Sequence, residues 1–181
     1  MKVYVFLADD FELVEAMCPI DMLRRAGAEV LTIGLNGDKT VTSAQGVTVL
    51  ADITLDALTG ELPDMVFLPG GMPGATNLRS CPAVCEMTKA VFGKGGFVAA
   101  ICAAPFILGE LGLLSGREAT CYPGFEGQLI GATLSEKKVV RDGNVITAAG
   151  MGVALPFAAE LVAALCGQDK ANAILNAIQT A

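Results

Sequence analysis

Residues 97–105 read FVAAICAAP, an apolar run that passes Cys102 and reaches a proline at position 105. Five consecutive apolar residues predict a buried strand, Phe97–Ile101, of the kind found in parallel sheets. Pro105 favours the first turn of a helix, where its missing N–H costs nothing. The stretch therefore predicts a strand that turns directly into a helix, with Cys102 at the corner.

Strands and helices alternate along the rest of the chain in the same way. Short apolar runs predict further strands at Lys2–Ala8, Val30–Ile33, Thr40–Ser43, Gly46–Leu50, Met65–Leu68, Glu118–Cys121, Val139–Arg141 and Val145–Ala148. Apolar residues at helical spacing predict a first helix capped by Asp9 and ended by Gly27, and later helices at Pro82–Phe92, Pro105–Leu114, Val153–Cys166 and Lys170–Ile178. The alternation predicts an α/β fold with a mostly parallel sheet and helices on both faces. The strands near residues 40–50 are expected to form a hairpin at a sheet edge. Functional loops are expected at the carboxyl ends of the strands.

The composition limits what the chain can bind. Its 181 residues are 53% hydrophobic and 17% charged, which suits a single domain over residues 1–181 with a full-sized core. A net charge of −7 and the lack of a basic cluster argue against nucleic acid as a partner. No membrane span is expected, because the apolar run from Phe97 to Leu114 contains a proline, two glycines and Glu110.

The chain has six cysteines and no histidine. Zinc sites use Cys and His at ligand spacing, and no C-x-x-C pair occurs here, so no metal site is expected. A flavin site is not expected either, because the loop after the first strand is acidic. Without histidine, one chain cannot build a Cys-His or Ser-His catalytic site. Free thiols are typical of a reducing compartment, which predicts a cytoplasmic location.

Its corner position makes Cys102 the first candidate for chemistry. A residue between a strand and a helix is exposed and strained, as in a nucleophile elbow. The residues at positions 99, 100, 103 and 104 are all alanine, which lets other backbone approach. A helix N-terminus favours the thiolate and lowers the thiol pKa. The alternative is a buried structural cysteine, which is common in protein cores.

Glu15 is the second candidate. It lies in line with Cys18 and Met22 on the predicted first helix, so a carboxylate stands among apolar positions. Pro19 follows four residues later and leaves the Glu15 carbonyl without its helical hydrogen bond. A desolvated Glu has a raised pKa and can stay protonated as a hydrogen-bond donor. The alternative is a half-exposed Glu on a kinked helix.

A glycine-rich loop, Pro69–Gly71, follows the predicted strand Met65–Leu68. Glycines at this point let backbone N–H groups face a site, where they stabilise a developing anion or cradle a phosphate. The alternative is a tight loop without a ligand. Two further cysteines, Cys121 and Cys18, lie close in sequence to the predicted site loops, and either is a candidate resolving thiol for Cys102.

Glu15, the LPGG run at 68–71 and the AAICAAP run at 99–105 together resemble the ThiJ/PfpI superfamily, in particular its parkinsonism-associated deglycase branch. The run PIDMLRRAG at 19–27 is similar to that branch as well, and the similarity spans nearly the whole chain. The resemblance implies a flavodoxin-like three-layer sandwich, a homodimer and no cofactor. It implies that Cys102 is the reactive thiol and Glu15 its carboxylic-acid partner. It also implies an anion pocket formed by Gly70, Gly71 and Ala103.

Tyr122 marks a departure from the family. Many members have a histidine beside the cysteine, in the stretch that here reads CYPGFE at 121–126. Tyr122, Pro123 and Cys121 are therefore expected to line the pocket. A tyrosine is a poor base near neutral pH, which predicts weak glyoxalase activity at best and argues against amidotransferase-like or peptidase-like chemistry. A second departure is GMGV at 150–153, where the branch usually has Gly-Pro-Gly-Thr at the pocket mouth.

Two functions fit these residues. In the first, the protein is a glyoxalase- or deglycase-type stress enzyme, in which Cys102 attacks a small reactive carbonyl such as methylglyoxal and Glu15 shuttles the proton. In the second, it is a redox sensor or redox-controlled chaperone with little turnover, in which an oxidant converts Cys102 to sulfenate and sulfinate. A homodimer also accords with the apolar positions Ala16, Ile20 and Leu23 of the first helix, which are expected to exceed the needs of one core.

Overall fold

A computed structural model of the protein describes residues 1–180. Its strands are β1 (Lys2–Leu7), β2 (Glu29–Gly34), β3 (Thr40–Thr42), β4 (Thr48–Leu50), β5 (Ile53–Thr54), β6 (Met65–Leu68), β7 (Phe97–Ile101), β8 (Glu118–Ala119), β9 (Thr133–Leu134), β10 (Val139–Asp142) and β11 (Val145–Ala148). Its helices are α1 (Leu13–Arg25), α2 (Gly74–Ser80), α3 (Pro82–Gly93), α4 (Pro105–Glu110), α5 (Ala154–Cys166) and α6 (Gln168–Ala177). Ala181, the last residue of the predicted domain, lies outside the described residues.

Seven strands form one sheet in the order β10-β11-β7-β6-β1-β2-β5. Neighbouring strands are parallel except for β10 and β11, which pair antiparallel. The strands are apolar on both faces because helices cover both faces. In β1, Val3, Val5 and Leu7 point to one core, and Tyr4 and Phe6 point to the other. The α/β, flavodoxin-like fold expected from the sequence is confirmed.

The helices form a layer on each side of the sheet. On one face, α1 packs against α5, and α5 packs against α6. The other face is covered by residues of α2, α3 and α4, among them Leu78, Val84 and Ile107. The sheet order reverses direction at β1, since the chain first builds outward through β2 and then returns to add β6, β7 and β11. Ligands of open α/β sheets bind at the carboxyl ends of the strands beside such a switch point.

The structure corrects several details of the sequence-based prediction. The predicted hairpin does not join the main sheet: β3 and β4 form a separate two-stranded sheet, and the two-residue β5 occupies the edge. The sequence missed β5 because two residues carry no periodic signal. It also missed α2, whose sequence GATNLRS begins with glycine and contains few helix-forming apolar residues.

The first helix differs from its prediction in its start and in its exposed face. It begins at Leu13, and its N-cap is Glu12, whose carboxylate accepts a hydrogen bond from the Glu15 N–H at 2.6 Å. The apolar positions proposed for a dimer interface are buried inside the protein's own core, with exposures of 0% for Ala16, 5% for Ile20 and 0% for Leu23. That part of the dimer argument is therefore wrong. Within residues 1–180, no helix has the length and apolar character needed to cross a membrane.

Candidate active site

Cys102 lies at the corner between β7 and α4. Its φ is 63°, in the left-handed region that a non-glycine residue adopts at a cost of about 1–3 kcal/mol. The corner is held by two backbone hydrogen bonds: the Cys102 N–H donates to Ala148 O at 2.9 Å, and Cys102 O accepts from the Tyr122 N–H at 2.8 Å. The side chain is half-buried. The strand-to-helix turn expected from residues 97–105 is therefore present, and its backbone is strained at the cysteine.

Glu15 points into the protein from the first turns of α1. Its side chain is only 1% exposed, so the alternative of a half-exposed Glu is wrong. The helix continues through Pro19. Within the described residues, Glu15 Oε2 is buried and has no hydrogen-bond partner. A buried carboxylate oxygen without a partner is costly when ionised, which favours the protonated acid or a ligand that completes the site.

Gly70 brings the carboxyl group and the cysteine together. A Cβ at this position would overlap Glu15 Oε2 and would lie 2.6 Å from Cys102 Cβ, so only glycine leaves room for both side chains. The neighbouring Gly71 has a φ of 94° and packs against the backbone of the loop after β1. The close packing of three chain segments therefore explains the two glycines that the sequence singles out.

Backbone amides face both functional groups. Those of Gly71 and Ala103 face the Cys102 sulfur and act to lower the pKa of the thiol. Those of Gly70 and Met151 face the Glu15 carboxyl and act to lower its pKa. The three residues expected to form an anion pocket thus divide between two groups, because Gly70 faces the acid and the other two face the sulfur.

Burial dominates the protonation of the pair. It raises the pKa of Glu15 from 4.5 to about 7, and the nearby Glu12 charge adds to the increase. Burial also raises the pKa of the Cys102 thiol from 9.0 to about 12, with the ionised Glu15 as the next cause. The sequence predicted a lowered thiol pKa from a helix N-terminus. That prediction is wrong, because burial and the Glu15 carboxylate raise the thiol pKa more than the backbone amides of Ala103 and Gly71 lower it.

Two negative charges side by side repel each other, so the pair is expected to carry one negative charge at most near neutral pH. When Glu15 holds the proton, its repulsion of the thiolate disappears and its O–H donates to sulfur. The two amides from Gly71 and Ala103 then stabilise the thiolate. The arrangement therefore couples thiolate formation at Cys102 to protonation of Glu15.

A cleft of about 550 Å³ opens beside the acid. Its lining residues are Tyr122, Pro123, Lys138, Ala149, Gly150, Met151, Gly152 and Val153. The structure places Tyr122 and Pro123 there, as expected. Cys121 is buried among residues of the second core and does not line the cleft, which corrects the prediction for this residue. The sequence did not single out Lys138, which belongs to none of the site motifs.

The remaining cysteines give no bonded partner to Cys102, since all six are free thiols. Burial raises the pKa of the Cys18 thiol, and it raises that of Cys121 to about 11. Burial shifts both thiols toward the neutral form, as it does that of Cys102, so these pKa values do not distinguish the three cysteines. A resolving role for either cysteine stays a prediction. Within residues 1–180, no group of three or more His, Cys, Asp or Glu side chains is arranged to hold a metal ion.

A family model described as the DJ-1/PfpI family matches residues 1–164, which include Glu15, Gly70, Gly71 and Cys102. The chain belongs to this family. The resemblance drawn from the sequence motifs is thereby confirmed.

Relatives and solved structures in the DJ-1/PfpI family match nearly the whole chain. Protein dj-1beta of Drosophila melanogaster is 36% identical over 179 residues, which are 98% of this chain and 96% of the relative. The glutathione-independent glyoxalase DJR-1.2 of Caenorhabditis elegans is 32% identical over 92% of this chain and 89% of its own. The structure of oxidized Toxoplasma gondii DJ-1 superposes with a TM-score of 0.94 at 37% identity, covering 98% of this chain and 97% of that one.

Proposed function

We propose that the protein is a cysteine-dependent stress enzyme that acts on small reactive carbonyls, with Cys102 as nucleophile and Glu15 as the acid that moves the proton. The observation that carries the proposal is the buried Oε2 of Glu15, which has no partner within the described residues and lies beside Gly70 and Cys102. A protein rarely leaves such an atom unsatisfied unless it is protonated or waits for a ligand. A C. elegans relative named as a glyoxalase supports the same reaction class.

The geometry supports a complete proton path. Cys102 thiolate adds to the aldehyde carbon of methylglyoxal, and the electrons of the C=O double bond move to oxygen, which takes the proton from Glu15. The Glu15 carboxylate then removes the hydrogen from the former aldehyde carbon. In the resulting enediol the proton of the first hydroxyl moves to the former ketone oxygen, and Glu15 returns its proton to the former ketone carbon. The resulting thioester is hydrolysed by water to lactate and the free thiol. A Glu15 pKa of about 7 suits a group that must both give and accept a proton near neutral pH.

Replacement of the two residues tests this proposal. Cys102→Ser is expected to abolish conversion of methylglyoxal to lactate, and Glu15→Gln is expected to slow it by about 10²–10⁴-fold, because the amide donates a hydrogen bond but cannot shuttle a proton. Cys166→Ser is the matched control, because Cys166 is a half-buried thiol at the end of α5, away from the corner at Cys102. Lactate formation by Cys102→Ser at the wild-type rate would refute the proposal.

Oxidation of the same thiol is the second candidate function. A matching structure is named as oxidized Toxoplasma gondii DJ-1, and this chain places Glu15 where its O–H can donate to an oxidised sulfur. Intact mass and peptide mapping after limiting peroxide separate the two candidates. A stable sulfinate at Cys102 without methylglyoxal turnover would favour a redox sensor or redox-controlled chaperone.

We also propose that the protein acts as a cytoplasmic homodimer without a cofactor, over a single domain. The dimer rests on family membership, since the apolar helix face first considered is buried. Exposed apolar side chains remain, with Val14 43% and Val47 44% exposed. Sedimentation at micromolar concentration is expected to show a dimer, and a single species of 18.6 kDa would contradict it.

A further inference from the structure

The lining of the cleft beside Glu15 contains a positively charged residue, whereas the protein as a whole is negatively charged. Of the described residues that line it, Lys138 is the one with a charged side chain. Lys138 is exposed, and within residues 1–180 no carboxylate lies at ion-pair distance from it. The preceding Lys137, in contrast, pairs with Glu118 at 3.5 Å. The lining of the cleft therefore includes a lysine without an ion-pair partner among the described residues, on a chain whose net charge is −7.

The fold ties Lys138 to the corner at Cys102. Strand β10 runs antiparallel to β11, with Val139 opposite Ala148, so Lys138 comes just before β10 at the carboxyl end of β11. Lys138 O accepts a hydrogen bond from the Ala149 N–H at 2.9 Å. The adjacent Ala148 O accepts the bond from the Cys102 N–H at 2.9 Å. The adjacent residues Ala148 and Ala149, at the end of β11, thus bond to the backbones of both Cys102 and Lys138.

Gly150 connects the cleft to the acid. A Cβ at Gly150 would lie 3.3 Å from the Tyr122 ring and 3.8 Å from Glu15 Oε1. Gly150, which lines the cleft, therefore lies next to the Glu15 carboxyl group. A small molecule bound between Cys102 and Glu15 can extend past Gly150 into this cleft, whose lining includes Lys138.

We propose that Lys138 makes the site selective for aldehydes that carry a carboxylate or a phosphate next to the reactive carbonyl. This inference rests on the proposed addition of Cys102 to a carbonyl. The chain as a whole repels anions, so selectivity for an anionic substrate requires a local cation. An ammonium about 4 Å from an anionic group in a water-filled cleft is expected to favour binding about fivefold.

Protection of Cys102 against alkylation measures this selectivity without turnover. Three aldehydes are compared as protectants against iodoacetamide: glycolaldehyde, which is neutral, glyoxylate, which carries a carboxylate, and glycolaldehyde phosphate. In Lys138→Gln, the half-protecting concentration is expected to rise about fivefold for the anionic aldehydes and to stay unchanged for glycolaldehyde. Lys137→Gln removes the same charge from a paired lysine and is expected to change none of the three. If Lys138→Gln weakens protection by only one of the two anionic aldehydes, the carboxylate or phosphate of that aldehyde is the group that Lys138 recognises.

A second measurement separates this inference from the proposed function. The ratio of Cys102 alkylation rates with iodoacetate and iodoacetamide reports the local charge and needs no carbonyl chemistry. It is expected to fall about fivefold in Lys138→Gln. If no aldehyde protects Cys102 but this ratio falls, Lys138 attracts anions to the thiol, while the proposed function and the aldehyde selectivity that rests on it are refuted. If Lys138→Gln changes neither protection nor the ratio, or if Lys137→Gln changes them equally, the inference is overturned while the proposed function stands.

Discussion

Replacing Glu15 by Gln is expected to remove most of the pH dependence of stability between about pH 5 and pH 8. The folded protein raises the Glu15 pKa from 4.5 to about 7 because the carboxyl group is buried. The folded state therefore binds this proton more tightly than the unfolded state does. The resulting stability is fully present below pH 4.5 and is lost as the pH rises through about 7.

The size of the effect follows from the shift. Each pKa unit corresponds to about 1.4 kcal/mol, so the wild-type free energy of unfolding is expected to fall by about 2–3 kcal/mol between pH 5 and pH 8 through this group. Glu15 is 1% exposed, so solvent screens the effect little. The chain contains no histidine, which removes the side chain that usually titrates in this window.

Urea unfolding at intervals of half a pH unit checks this prediction. Glu15→Gln is expected to give a nearly flat stability profile and to exceed the wild type at pH 8. Glu86→Gln makes the same change on the exposed surface of α3 and is expected to keep the wild-type slope. Parallel profiles for wild type and Glu15→Gln would show that the carboxyl group is not desolvated, and the reasoning about its proton would fail.

Three further predictions follow from the site. The pH midpoint of Cys102 alkylation is expected to be lower in Glu15→Gln than in the wild type, because the ionised carboxylate that raises the thiol pKa is gone. In Glu15→Leu the midpoint is expected to be higher than in Glu15→Gln, because leucine cannot donate a hydrogen bond to the sulfur. Superimposable curves for the three proteins would mean that Glu15 does not touch the thiol. Tyr122→His is expected to raise methylglyoxal turnover by up to about 100-fold, and wild-type turnover as fast as that of histidine-containing relatives would contradict this. Gly70→Ala is expected to cost about 1–3 kcal/mol in thermal unfolding because its Cβ overlaps Glu15, whereas Gly93→Ala, which meets nothing within 4 Å, is expected to be neutral or stabilising.

Local pattern was sufficient for the strands that carry the site. Met65–Leu68, Phe97–Ile101 and Val145–Ala148 were predicted with their observed bounds, because strands buried on both faces are short runs of mainly apolar residues. Elements with weaker patterns, such as β5, were missed. The prediction that Ile20 of α1 faces outward also failed. Its burial depends on how helices pack, and Ile20 lies within the protein's own core.

The residues of the candidate site also fall into two groups, those that the sequence predicted and those that it did not. Cys102 and Glu15 were found from the sequence because each breaks a local rule: a cysteine occupies a strained corner, and an acid occupies an apolar helix lane. Lys138 carries no such signal, because an exposed lysine is ordinary in sequence. Its place at the cleft depends on the antiparallel pairing of β10 with β11.

The sequence by itself determined the α/β alternation, the family and the two residues proposed to carry the chemistry, because periodicity and short motifs are local properties. Only the tertiary structure decided the protonation of the pair, since the pKa of Glu15 depends on burial and that of Cys102 depends on burial and on Glu15. It alone also decided which amides face the sulfur and which cation faces the cleft. These properties depend on distances between segments as far apart as α1 and β11, and electrostatic interactions follow spatial separation, not position along the chain.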